Sequence, residues 1–219
     1  SPKKSMAEWS TVTASAGYFS IAVAHAHRQD ATRLCTSLGM DTETCNRFVH
    51  LNWDRPHDIR AVLNEVERMA ATEFRGVIDK DKIAVGGHSA GAGGAQTIAG
   101  ARRDFGNTVQ PPGGLSDRRP IAFLAFSPQQ PGNSGFFDTK FQQPAHSWTD
   151  VERPMLTATG DGDGDDSCDP TDIPRACVGD TPFGRRIGFG RMPAGGNKYQ
   201  LYLHDADAHH MLFELNVAK

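Results

Sequence analysis

The sequence lacks any apolar run that approaches the roughly 20 residues needed to cross a bilayer. It also lacks a basic block or stripe, because 26 Asp and Glu outnumber 23 Lys and Arg and give a formal net charge of −3. A surface of this charge is unsuited to neutralising phosphates, so we expect neither a membrane span nor a nucleic-acid partner. The 219 residues are enough for a single domain, 1–219, that buries a sizeable core.

Cysteine is scarce, and no pair of the four residues has the C-x-x-C spacing of a zinc site. The cysteines form two local couples, Cys35 with Cys45 and Cys168 with Cys177, each in a polar, turn-rich stretch. Pairing within the couples closes two short loops without disturbing the apolar segments, which is typical of an oxidised, exported protein. We therefore predict these two disulfides and a secreted or periplasmic location. Four free thiols in a cytosolic protein remain the alternative.

Five apolar runs of strand length alternate with helical or loop segments. The first three are almost continuously apolar, as parallel strands buried on both faces require. Residues 55–74 repeat their apolar side chains at helical spacing, and a second helix, rich in small residues, follows Ser89. This alternation predicts an α/β domain with a parallel sheet. The runs are YFSIAVAHA (18–26), KIAVGGH (82–88), IAFLAFSP (121–128), PMLTATG (154–160) and YQLYLHD (199–205).

Two segments, 110–120 and 161–186, do not fit this pattern and are predicted to be loops. The second begins with DGDGDD, and alternating aspartates are how calcium-binding loops with oxygen ligands begin. An EF-hand is excluded because Asp166 stands where that loop requires glycine. We predict no metal here, and an irregular surface calcium site is the alternative.

Ser89 lies in the sequence GHSAG, between an apolar strand and a helix of small residues. This is the setting of a nucleophile elbow, a sharp turn that exposes a serine hydroxyl at the end of a strand. In that interpretation Gly87 and Gly91 relieve steric conflict, and the backbone N–H of Ala90 binds an oxyanion. The alternative is a small residue in a structural turn, since 23 glycines make chance matches easy.

A nucleophilic serine needs a base, and the base needs an acid to orient it. Asp161 and Asp163 follow the fourth predicted strand, and His209 and His210 follow the fifth. The order Ser, Asp, His along the chain is the one that α/β-hydrolases use. The residues alone leave open which aspartate and which histidine take part.

Four segments in order give the chain a resemblance to the α/β-hydrolase superfamily, within it to the dienelactone-hydrolase-like and platelet-activating-factor-acetylhydrolase-like esterases, with cutinases as relatives. They are RPHDIRAVLNEVERM, IAVGGHSAGAGG, WTDVERPMLTATGDGD and KYQLYLHDADAHHMLF. The resemblance implies that the triad is Ser89, Asp163 and His210, because the family's acid strand reads P-x-L-x-x-x-G-x-x-D and its histidine loop is similar to A-x-H-M-x-F. It also implies hydrolysis of a small-molecule or lipid-like carboxylic ester without a cofactor.

The chain departs from the family at its start. The resemblance implies an earlier strand and an HG-G loop that donates a second oxyanion N–H, whereas here the strand GYFSIAVAHAH already begins at residue 17. The preceding SPKKSMAEWSTVTASA resembles the helix after that loop and contains neither an initiator methionine nor an apolar signal core. We expect a fragment whose first strands and oxyanion loop belong to an upstream segment of the same protein.

The substrate is weakly specified by the sequence. Trp148, Phe136 and Phe137 lie in or near the loop after the third predicted strand, where related esterases line their acyl or aromatic subsite, and core packing is the alternative for each. A peptidase or thioesterase on the same fold is a rival function, since the triad does not choose the leaving group. A binding protein that kept the fold and lost the chemistry is a rival of another class.

Overall fold

The structure, a computed structural model, describes residues 7–25, 35, 36, 41, 43, 50–102, 114–129, 147–164 and 181–204. A π-helical turn, His50–Asp54, leads directly into the second of the four helices named here. The helices are α1 (Ala7–Ser15), α2 (Arg55–Ala71), α3 (Ala90–Ala99) and α4 (Pro182–Arg191), and the strands are β1 (Ile83–His88), β2 (Pro120–Phe126), β3 (Met155–Gly160) and β4 (Lys198–Leu203).

The four strands form one parallel sheet in the order β1-β2-β3-β4. The register places Val85 opposite Phe123, Leu124 opposite Leu156 and Thr159 opposite Tyr202. The α/β class and the parallel sheet are thereby confirmed for four of the five predicted strand runs. Because all the strands run the same way, the residues that follow them leave the sheet at one shared edge, which we call the carboxyl edge.

The helix predicted from residues 55–74 is α2. Its apolar stripe is buried at Pro56, Ile59, Leu63 and Val66, and Pro56 lies in the first turn, where a missing backbone N–H costs nothing. The helix predicted after Ser89 is α3, which packs against β1, β2 and α2. Both helices therefore form where the sequence predicts them.

The core lies on the face of the sheet that α2 and α3 cover. Burying each large apolar side chain there contributes roughly 1.5–3 kcal/mol. The buried members are Ile59, Leu63, Ala92, Ile98, Ala99, Ala101, Phe123, Ala125, Trp148, Val151, Met155 and Met192, with Ile83 and Val85 packed against them.

Arg153 holds the opposite edge of the sheet, where the strands begin. Its guanidinium donates to the carbonyls of Ile98 and Ala99 at the end of α3, at 2.9 and 3.1 Å, and to those of Asp117 and Pro120, both at 2.6 Å. It also lies over the Phe123 ring, 4.7 Å from the centroid. A cation at a helix C-terminus and hydrogen bonds to its last carbonyls are both stabilising.

The prediction of a strand at 18–26 is wrong for residues 18–25, which have no strand conformation. Tyr18, Phe19 and Ile21 are exposed by 61%, 45% and 39%. A strand forms only where a neighbour completes its hydrogen-bond ladder, and no described segment does so for these residues. Within this segment, Nδ1 of His25 lies 2.9 Å from Oδ2 of Asp58 on α2.

The prediction of a loop over 161–186 is also wrong at its end, because α4 begins at Pro182. Thr181 caps this helix by accepting a hydrogen bond from the backbone N–H of Gly184 at 2.9 Å, and Pro182 occupies the first turn. The Thr-Pro start signal is present in the sequence, but the loop prediction followed the acidic run before it.

None of the helices in the described segments combines the length and apolarity that crossing a bilayer requires.

Candidate active site

Ser89 lies between the last residue of β1 and the first residue of α3, in a sharp turn. Its backbone has φ 55° and ψ −119°, a region that non-glycine residues rarely adopt. Its N–H donates to the carbonyl of Phe126 at 2.9 Å, and its carbonyl accepts from the N–H of Gly93 at 3.1 Å. Such strain costs on the order of 1–3 kcal/mol and persists where the surrounding structure imposes it, typically at functional sites.

The turn brings β1 and α3 so close that Gly87 has no room for a side chain. A Cβ at Gly87 would lie 2.3 Å from the carbonyl carbon of Gly91 and 2.8 Å from the backbone nitrogen of Ala92. The steric argument is thereby confirmed for Gly87. It is wrong for Gly91, where an added Cβ would meet nothing within 4 Å. Gly91 contributes its backbone to the contact.

Ala90 is the first residue of α3. The first four N–H groups of a helix have no acceptor within the helix, and the helix dipole places partial positive charge at this end. Ser89 makes no side-chain cap to α3. A backbone N–H at the start of a helix can stabilise negative charge that develops nearby, and Ala90 directly follows Ser89.

Asp163 lies in the turn that follows β3 and is fully buried. Its Oδ2 accepts a hydrogen bond from the hydroxyl of Thr159 at 2.8 Å, and its Oδ1 lies 2.9 Å from Nε of Arg185. These contacts hold the carboxylate in a fixed orientation at the carboxyl edge.

Arg185 on α4 is the second buried charge of this site, with a side chain 3% exposed. Besides the Asp163 carboxylate it binds three carbonyls, those of Asp163 at 3.0 Å and of Ser127 and Pro128 at 3.1 Å each. Sequence reasoning missed this residue. Its position in the first turns of a capped helix was readable, but its partners come from the ends of two distant strands.

Asp161 has different surroundings, although it is two residues from Asp163. Its side chain is 44% exposed, its Oδ1 accepts from the Tyr202 hydroxyl at 2.7 Å, and its Oδ2 lies 3.6 Å from Nδ1 of His204. Burial, and then the hydrogen bond to Asp161, raises the pKa of Tyr202 to about 12. Asp161 is thus a surface carboxylate with a tyrosine partner.

The sheet topology places Ser89 and Asp163 on the same edge. Ser89 follows β1 and Asp163 follows β3, with β2 between them, so the strands that carry these residues are two strand spacings, roughly 10 Å, apart. An imidazole is of the size that fits between a serine and a carboxylate at such a separation. His210, which the family resemblance implies as that imidazole, lies outside the described residues, as does His209.

Of the other predicted site residues, some belong to the described part of the chain and the rest lie outside it. Trp148 is fully buried in the core. It packs against α4, where a Cβ on Gly188 would lie 2.9 Å from its ring. The structure therefore favours the core alternative over substrate lining for Trp148.

Cys35 is buried and disulfide-bonded. Its predicted partner lies outside the described residues. So do both cysteines of the second couple and the two predicted lining phenylalanines, that is, Cys45, Cys168, Cys177, Phe136 and Phe137.

The described part of the edge therefore combines a strained serine, a helix N-terminus and a buried carboxylate. Within the described ranges, no three His, Cys, Asp or Glu side chains are grouped as metal ligands would be. No protein-family model and no curated protein matches the sequence. Support for a function therefore comes from the residues and their geometry.

Proposed function

We propose that this chain is a serine hydrolase of carboxylic esters with an α/β-hydrolase arrangement. The observation that carries the proposal is the conformation of Ser89. Ser89 is a non-glycine residue with positive φ, and it lies between a parallel strand and a helix that nearly touch. A nucleophile elbow exposes its serine hydroxyl in this way. A structural turn at this place has no need of serine, since glycine adopts positive φ without strain.

In the proposed mechanism the Ser89 oxygen attacks the ester carbonyl while His210 accepts the hydroxyl proton. The Ala90 N–H stabilises the oxyanion of the tetrahedral intermediate. His210 then returns the proton to the leaving alcohol, and an acyl-serine remains. Water, activated by the same histidine, hydrolyses the acyl-serine to release the acid and restore the Ser89 hydroxyl.

Asp163 has the role of orienting His210 and stabilising its charged form. Its burial and its fixed contacts with Thr159 and Arg185 support this assignment over Asp161, whose carboxylate is half exposed and engaged by Tyr202. A carboxylate that must hold an imidazole in one tautomer benefits from a rigid, water-excluded position. No step of this chemistry calls for a cofactor.

The substrate class that we propose is a small-molecule or lipid-like ester. We further propose that the protein works in an oxidising compartment outside the cytoplasm. The disulfide at Cys35 supports this location, since such bonds persist mainly in secreted and periplasmic proteins.

Burst kinetics with a chromogenic acyl ester test the proposal. We expect one equivalent of chromophore per protein in a rapid phase, because an acyl-serine accumulates. Ser89→Ala should abolish the burst. The matched control is Ser127→Ala, which changes another serine with positive φ, at the end of β2, whose side chain is fully buried. A burst retained in Ser89→Ala would refute the mechanism.

A further inference from the structure

Arg185 is a buried cation that takes no part in the proposed chemistry. Burying a charge is costly unless it is paired and hydrogen-bonded, so its partners indicate what it is retained for. One side of the guanidinium contacts the Asp163 carboxylate through Nε, at 2.9 Å. The Nη1 group binds the carbonyls of Ser127 and Pro128, each at 3.1 Å.

These contacts join three parts of the carboxyl edge. Ser127 and Pro128 follow β2, Asp163 follows β3, and Arg185 itself belongs to α4. The planar guanidinium presents its donors in a fixed geometry, so groups bound to its two sides are held at a set distance and angle. The end of β2 is also bonded to the elbow, because the Ser89 N–H donates to the carbonyl of Phe126, the residue before Ser127.

We infer that Arg185 is a positioning residue for Asp163: it fixes the carboxylate relative to the strand end that carries the elbow. This inference rests on the proposed function. Arg185 does not touch substrate in this account and acts through Asp163 alone. An error of about 1 Å in the placement of a catalytic group can cost on the order of 10²-fold in rate, so a shift of the acid would be visible in turnover.

Arg153 provides a matched control. Arg185 binds three backbone carbonyls and one carboxylate, whereas the guanidinium of Arg153 binds four carbonyls. The partners of Arg153 lie at the start of β2 and the end of α3, away from Ser89. Replacing either arginine removes a comparable set of hydrogen bonds. The two substitutions should therefore differ in their effect on catalysis, even if both destabilise the fold.

The test is a double-mutant cycle on kcat per folded protein molecule, with the folded fraction of each variant measured by chemical denaturation. We expect Arg185→Gln to lower kcat about 10²-fold with little change in KM. Asp163→Asn should lower kcat about 10⁴-fold, and the double variant should be no worse than Asp163→Asn alone. Arg185→Lys, which keeps the charge, should recover part of the loss, and Arg153→Gln should leave kcat per folded molecule unchanged.

Losses that multiply in the double variant would overturn the inference, because Arg185 would then act independently of Asp163. An unchanged kcat per folded molecule in Arg185→Gln would overturn it too. If Arg185→Gln does not fold, the same comparison is made with Arg185→Lys, for which wild-type turnover and no coupling to Asp163→Asn would be the contrary result. Absence of any ester hydrolysis by the wild-type protein would instead refute the proposed function.

Discussion

The two edges of the sheet are each held by an arginine, and the groups that these arginines bind differ. At the edge where the strands begin, Arg153 contacts four backbone carbonyls and the face of Phe123. At the carboxyl edge, Arg185 contacts carbonyls and, in addition, the buried Asp163 carboxylate. Carbonyls alone indicate a structural cation, whereas a buried carboxylate brought to the edge that carries Ser89 indicates a site. Under the proposed function we therefore expect Arg153 to affect stability alone, and Arg185 to affect catalysis as well.

The largest effect that sharpens this comparison is expected for Asp163→Asn. Asparagine keeps the shape of the side chain but removes its charge, so the imidazole loses its orienting acid and kcat falls about 10⁴-fold. The same change leaves Arg185 as an uncompensated buried charge, which costs about 3–5 kcal/mol of unfolding free energy. Steady-state kinetics and chemical denaturation of one preparation measure both. A variant with wild-type turnover would remove Asp163 from the site.

Arg153→Gln tests the other edge. We expect it to lower the unfolding free energy by about 2 kcal/mol, because the carbonyls at the end of α3 and the start of β2 lose their charged donor. Turnover per folded molecule should not change. Urea denaturation gives the first quantity, and kinetics normalised to the folded fraction give the second. A fall in kcat per folded molecule comparable with that of Arg185→Gln would show that the two edges are not distinct.

His25 makes the stability of the fold depend on pH, so the variants should be compared at one pH. Burial lowers the pKa of His25, and the hydrogen bond with Asp58 offsets part of that effect. The unfolded chain therefore binds this proton at higher pH than the folded chain does. Its contribution to stability is present above about pH 6.5 and is lost as the pH falls through the lowered value. His25→Gln should flatten the decline in stability between neutral and mildly acidic pH, and an unchanged slope would contradict this assignment.

Asp161→Asn should have the smallest effect. The carboxylate is half exposed, so the unfolding free energy should change by less than about 0.5 kcal/mol and turnover should stay near the wild-type value. The pKa of Tyr202 should fall from about 12, because the charge that helps to raise it is removed. The absorbance of tyrosinate during an alkaline titration, with Tyr202→Phe as the reference, reports this shift. A large loss of turnover would show that Asp161 and Asp163 have been assigned the wrong way round.

The sequence could predict the features that depend on local pattern. The four paired strands, α2, α3 and the turn at Ser89 follow from apolar runs, helical spacing and glycine placement around the serine. The run at 18–26 shows the limit of this reasoning. Its composition is that of a strand, but a strand also needs a pairing partner, and pairing is not encoded within the run.

Arg185 and Trp148 could not be placed for a related reason. The burial of each depends on segments far away in sequence: the ends of β2 and β3 for Arg185, and α4 for Trp148. An arginine in a helix is usually exposed, and a tryptophan in a loop can as well line a pocket as fill the core. Contacts of this kind become visible only when the fold brings the segments together.

The most direct test of the central claim is to locate the adduct formed with a fluorophosphonate, which phosphonylates activated serine nucleophiles. Peptide mapping of the treated wild-type protein should show one modification, on Ser89, and Ser89→Ala should remain unmodified. Ser127→Ala should be modified like the wild type. An unmodified wild-type protein, or an adduct on another residue that persists in Ser89→Ala, would contradict the account.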